Sequence, residues 1–328
     1  MTVLRVALFG IVLIALAAAA GAEESAVTGM GPVSGVLIDS TARTIRPILG
    51  MPGAAYAGPA TVTSFEFAAA APGSQNALIA KDGMLFVLRR LAGGRPVWRE
   101  LDSGVSDIEF AAWSDNSEAI VLQPRGEARL DFWTTLSYEP KKAGSVDISS
   151  LSERMESVAV DPDGRFAFAA TQGEDSGTLY LLKPGDLPRM LMPLRKAGSM
   201  MLAGNTLWVA DRGSNEVFRL RNWDQMPQIQ PAAAAAHGVN DPVGVALSRD
   251  GKFLWVASAG SRNVLALDLD SSQVKHVLEL DFTPTRMHRL GADGLFLLEN
   301  GVPGEAPAQV LDTSAGKVYF VPVGALAE

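Results

Sequence analysis

The stretch Thr206–Leu220, TLWVADRGSNEVFRL, returns in plan at Phe253–Asp268 as FLWVASAGSRNVLALD. Each copy is an apolar run with a Trp in register (Trp208, Trp255), a polar corner (Arg212–Asn215, Gly260–Asn263) and a further strand-like run. Apolar runs this short, bounded by Gly, Ser and Asn, predict strands. Upstream of each copy lies another strand and a tight turn, Gly204-Asn205 before the first and Asp250-Gly251 before the second.

The same plan extends in both directions. Six segments carry it: Ser64–Ala80, Ser106–Leu122, Glu156–Ala170, Ser199–Ala210, Val243–Ala257 and Arg286–Leu298. With first strands anchored at Phe65, Ile108, Val158, Met201, Val245 and Met287, the successive gaps are 43, 50, 43, 44 and 42 residues. Asp163-Gly164, Asp250-Gly251 and Asp293-Gly294 occupy equivalent turns, and Asp-Gly is the strongest short hairpin signal. A third strand recurs at Met84–Leu88, Arg129–Trp133 and Thr178–Leu182, and a fourth at Val97–Leu101 and Lys275–Leu280. A solenoid repeats at a shorter period and a sandwich does not repeat. A period of ~40–45 residues with four short strands predicts an all-β fold, a β-propeller. Ala232–Ala236 is too short for a stable helix and reads as a connection.

Six full units run from about Tyr56 to Val323. Ahead of them lies one hairpin, Ser34–Asp39 and Thr44–Gly50, which reads as the outer half of a blade. It either completes the last blade or belongs to a seventh, and mixing terminal strands at the ring closure would protect sheet edges. Six or seven blades are expected, seven being preferred.

The pattern of Glu156–Asp161 with Asp163-Gly164-Arg165, of Leu207–Arg212 with Ser214-Asn215, and of Gly244–Gly251 with Leu254–Ser258 and Asn263–Asp268 resembles the YVTN/NHL-like β-propeller repeats of exported bacterial proteins. The match is clearest over Glu156–Leu280. It implies a propeller and an exported setting. Its motifs encode blade geometry, so it implies little about chemistry.

Composition narrows the function classes. The 328 residues include no Cys and three His (His237, His276, His288), and carry 28 basic against 36 acidic side chains, net −8. Without Cys there is no disulfide framework, thiol nucleophile or iron–sulfur cluster. With three scattered His, a multi-histidine metal site is not expected, and no cofactor is. An acidic chain argues against nucleic acid as partner. Residues 1–22 read as a secretory signal: Arg5, the apolar run Val6–Ala20, then Ala20-Gly21-Ala22 ahead of Glu23-Glu24. Residues 23–32 are expected to be a flexible segment and 33–328 a single propeller domain. A mature protein that is periplasmic or secreted is expected, with no membrane span after signal cleavage, either monomeric or part of an envelope assembly.

Candidate chemistry is sparse. Arg286-Met287-His288-Arg289 is the most polar of the first strands, which line the channel of a propeller. Alternation puts Arg286 and His288 on one face, and Glu299 ends the neighbouring strand. Arg286, His288 and Glu299 therefore form the candidate catalytic set of a lactonase-like hydrolase, a general base with a carboxylate partner. The other ionisable groups on first strands are Glu66, Glu109, Glu156 and Arg289. Arg212 and Arg262 at blade corners, with Trp223 in a polar loop (Arg221-Asn222-Trp223-Asp224), are candidate ligand-binding residues, Trp223 being expected at the surface. Asp161-Pro162-Asp163-Gly164 reads as a turn rather than a calcium loop. Arg89, Arg90, Arg95 and Arg99 form a basic patch that reads as a solvated face. Binding of a protein, peptide or glycan partner by a non-catalytic scaffold is the favoured reading, ahead of hydrolysis.

Overall fold

The computed structural model describes residues 32–73, 75–91, 95–151, 153–291, 294–301 and 307–323. The expected signal, residues 1–22, lies outside the described residues, as do Asp293 and nearly all of the 23–32 segment.

Among the described residues, twenty-eight strands form seven antiparallel sheets of four strands each, every sheet built from consecutive strands. The fold is a seven-bladed β-propeller. The innermost strands, blades 1 to 7, are Val33–Asp39, Phe67–Ala70, Ile108–Trp113, Arg154–Val160, Ala197–Ala203, Pro242–Leu247 and Arg286–Arg289. They pack side by side around the axis.

The repeated sequence plan follows from this packing. The second strand of each blade is covered on both faces by its neighbours. It must therefore be apolar throughout, and Leu254–Ser258 and Ala167–Thr171 are buried at every position. Trp208 and Trp255 occupy the same slot and are both buried. The corners need left-handed backbone, which Asn215 (φ 58°) and Arg262 (φ 49°) adopt. Asp211, buried at the end of the second strand of blade 5, accepts four backbone N–H groups, from Arg195, Lys196, Gly213 and Ser214, at 3.0–3.3 Å. That explains an Asp at the end of an apolar run, because each donor would otherwise be unsatisfied. Asp161-Pro162-Asp163-Gly164 is a turn: Gly164 N–H donates to Asp161 O at 2.9 Å, and the Asp161 carboxylate pairs with Arg165.

The leading hairpin departs from expectation. It is the inner half of its blade, not the outer half. Val33–Asp39 lines the channel, and Thr44–Leu49 is the second strand. The remaining strands, Tyr56–Ala57 and Val62–Thr63, both pair with Thr44–Leu49, so blade 1 is three strands wide. Among the described residues, closure shares no strand between the first and last blades. Blades 1 and 7 meet face to face through Ile48, Ala55, Leu290, Leu295, Val310 and Val321. The backbone of Gly35 presses on Leu290, and Ala57 N–H donates to Pro322 O at 3.0 Å.

Candidate functional site

The seven inner strands enclose a central cavity of about 580 Å³. Every blade begins at its innermost strand and repeats one meander, so the inner strands run the same way. The cavity has an entry mouth at their N-terminal ends and an exit mouth at their C-terminal ends.

Five of the seven inner strands carry a β-bulge near the entry mouth. The extra residues are Ser34, Glu109, Glu156, Gly198-Ser199 and Val243. A bulge puts two residues opposite one and re-aims a side chain. Here the bulged Glu109 of blade 3 and Glu156 of blade 4 line the cavity. Glu66 lies just before its strand begins and does not.

Blade 7 contributes the polar strand. Arg286 lies directly opposite Glu299, and His288 opposite Leu297, so Arg286, His288 and Glu299 share one face, as alternation predicts. His288 Nδ1 is 3.6 Å from Glu299 Oε1, with the two side chains 44% and 42% exposed to the cavity. Its place inside the ring partly desolvates the imidazole, which lowers its pKa from the usual histidine value; the charge of Glu299 opposes the shift and that of Arg286 adds to it. His288 is thus biased toward its neutral form.

Arg212, at the corner of blade 5, also reaches the cavity. Its guanidinium is bidentate on Asp241 of blade 6, at 2.6 and 3.0 Å. That pair raises the Arg212 pKa and lowers that of Asp241, and it rivets two blades at the mouth. Arg262 lies at the equivalent corner of blade 6, exposed on the same face of the ring but outside the cavity. Trp223 corrects the expectation of an exposed loop residue. It is buried, with ring centroids 5.1 Å from Phe168 and 5.8 Å from Phe166, and packs in the cluster that joins blades 4 and 5. It is a wedge between the two blades.

The exit mouth holds a feature that the sequence does not advertise. Arg289 of blade 7 reaches across the axis to Asp115 in the first turn of blade 3, Nη1 to Oδ1 2.8 Å. The partners are 174 residues apart, so no local motif announces them. Among the described residues no group of three or more His, Asp or Glu side chains is arranged to hold a metal ion.

No protein-family model matches the chain, and no curated protein matches it. Solved structures do. One chain of Kuenenia stuttgartiensis hydrazine synthase is 12% identical, with 92% of this chain and 99% of that one aligned at a TM-score of 0.53. A functionally unknown protein from Desulfotomaculum acetoxidans is 13% identical, with 89% and 100% aligned at a TM-score of 0.57. A chain from a nidogen/laminin complex is 14% identical over 75% of this chain and 93% of that one, at a TM-score of 0.48. At such identities the likeness concerns the fold alone, and it rests on the two chains with TM-scores of 0.53 and 0.57.

Proposed function

We propose that this chain is an exported, non-catalytic binding module that takes a peptide, protein or glycan partner at the entry mouth of its central cavity. One observation carries the reading. Side chains from separate blades (Glu109, Glu156, Arg212, Arg286, His288 and Glu299) converge on a single cavity of about 580 Å³, within the range of small-ligand sites. A rigid ring presenting loops and mouth residues suits recognition. Export to the periplasm or beyond rests on the signal-like residues 1–22 and on the likeness to YVTN/NHL repeats. Fractionation of the expressing cell, with and without residues 1–22, tests it: retention of the full-length protein in the cytoplasm would overturn it.

The binding experiment is a thermal-shift and calorimetric screen of short peptides and oligosaccharides. It compares the wild-type chain with a Glu109→Gln/Arg286→Gln variant. Ligands that stabilise the wild type and lose that effect in the variant support the reading. Ligands that bind both equally place recognition elsewhere.

The His288–Glu299 approach favours one second reading, hydrolysis of a lactone or ester, with the neutral imidazole as general base. Turnover of a lactone and ester panel that is lost in His288→Ala would establish it. Absence of turnover in both forms would remove it.

A further inference from the structure

Resting on the binding reading, we infer that the ligand is zwitterionic: an amino acid or short peptide with both ends free, its ammonium toward Glu109 and its carboxylate toward Arg286. The argument begins with which charges in the cavity are already answered. Arg212 is held by Asp241, Glu156 by Arg154 at 2.7 Å, Arg289 by Asp115, and Glu299 stands beside His288. Among the described residues, three charged side chains of the cavity have no opposite charge within ion-pair distance: Glu109, Arg286 and Glu299, the last beside a histidine biased toward its neutral form and directly across the strand pair from Arg286. Glu109 and Arg286 line the cavity from opposite walls, both are exposed to it, and neither makes a hydrogen bond or ion pair with a described residue; the charge of Glu109 is felt by Arg125 and that of Arg286 by His288.

Their positions are complementary. Glu109 belongs to blade 3 and Arg286 to blade 7, across the axis of a seven-blade ring. Both sit at the entry mouth. At the exit mouth the same two blades are already joined, because Arg289 and Asp115 close that gap in direct contact. One end of the cavity therefore has its cross-axis ion pair, and the other has the two halves of one standing apart. A ligand carrying a cation at one end and an anion at the other completes it. An ammonium makes charge-assisted hydrogen bonds to a carboxylate, and a carboxylate makes them to a guanidinium, as a bidentate fork where geometry allows. A ligand of one charge sign would satisfy one wall and leave the other unanswered. Phe67, Phe110 and Val36 supply apolar wall for a side chain between the two ends.

The experiment is isothermal calorimetry of the whole soluble chain with a panel of tripeptides in three forms: free-ended, N-acetylated and C-amidated. A panel of neutral oligosaccharides runs beside it. Free-ended tripeptides are expected to bind the wild type, and blocking either end to weaken binding at least about tenfold. Glu109→Gln should abolish the penalty for N-acetylation while keeping that for amidation, and Arg286→Gln should do the reverse. Arg286→Lys should recover part of the loss, and unchanged melting temperatures would show that the variants remain folded. Equal binding of free and blocked peptides, or oligosaccharide binding alone, lost in the cavity variants in either case, would overturn the zwitterionic assignment and leave the binding reading standing. Binding untouched by any cavity variant, or no binding by either panel, would overturn both.

Discussion

Gly35→Ala tests how the ring closes. Gly35 lies on the inner strand of blade 1, and a Cβ built there falls 2.4 Å from Leu290 Cγ and 2.5 Å from Leu290 Cδ1. Carbon atoms at rest sit about 3.5–4.0 Å apart, so the added methyl intrudes by more than an ångström. Leu290 is 1% exposed and wedged among Ile48, Leu295 and Val310, and has nowhere to swing. Overpacking of this kind costs ~1–3 kcal/mol. Gly35 is not among the residues with left-handed backbone, so Ala adds no backbone strain. Leu290→Ala alone should cost ~2–5 kcal/mol through the cavity it leaves. In the double variant the new methyl enters that cavity, so the two costs should fall short of their sum by ~0.5–3 kcal/mol. Urea unfolding of the four proteins, followed by tryptophan fluorescence, measures each value. A Gly35→Ala protein within ~0.5 kcal/mol of wild type, the ordinary range for surface substitutions, with strict additivity in the double variant, would refute a closure made by the packed faces of blades 1 and 7.

Three further outcomes are expected. Trp223→Ala should cost ~3–5 kcal/mol in urea unfolding, the range for a buried aromatic, whereas Trp98→Ala, 40% exposed on the edge of blade 2, should cost far less; parity between them would mean that Trp223 is not a wedge. The lowered pKa of His288 means that, between its folded value and its ordinary one, the unfolded chain binds a proton that the folded chain does not. Stability should therefore fall as pH drops through the ordinary histidine range, and His288→Gln should flatten that slope between pH 7.5 and 5.5; an unchanged slope would count against the effect of burial. Asp115→Ala should cost no more than ~1 kcal/mol, as for a partly exposed ion pair, yet speed phenylglyoxal labelling of Arg289 as read by mass spectrometry; unchanged labelling would show that the cross-axis contact does not shield the exit mouth.

What the sequence made legible follows from which contacts are local. Second and third strands are covered on both faces, so each reads as an apolar run whatever lies beyond it. Turns are legible because left-handed backbone selects its residues: Gly164 and Gly251 have φ of 68° and 70°. Blade 1 was the hard unit. Its third strand is split into Tyr56–Ala57 and Val62–Thr63 around Gly58, and no fourth strand follows to mark the outer edge, so a search for four-strand units passes over it. Trp223 misled for the opposite reason. Its neighbours in sequence, Asn222 and Asp224, are polar, while the rings that bury it, Phe166 and Phe168, belong to the preceding blade. The set Arg286, His288 and Glu299 was legible through strand alternation alone. Arg289–Asp115 was not, since only ring closure brings blade 7 opposite blade 3.

The bulges separate what the fold supplies from what the side chains supply. The same backbone irregularity recurs near the entry mouth of five inner strands, yet its residues are Ser34, Glu109, Glu156, Gly198-Ser199 and Val243. A feature held constant in the backbone while its side chain varies is a mount, and the residue on it is the variable part. Glu109 is exposed to the cavity and makes no hydrogen bond or ion pair with a described residue, its charge being felt only by the exposed Arg125, so its removal leaves nothing buried and unsatisfied behind. Glu109→Gln should thus change stability by less than ~0.5 kcal/mol, as surface substitutions away from structural features do, while abolishing the preference for a free ammonium in the ligand. Glu156 makes the comparison sharper. It is partly buried and paired with Arg154, so Glu156→Gln should lower stability more than Glu109→Gln and affinity less. Calorimetry and urea unfolding of the two variants should rank them in opposite orders; the same order in both assays would mean that the two glutamates share one role, and that the bulges do not divide scaffold from site.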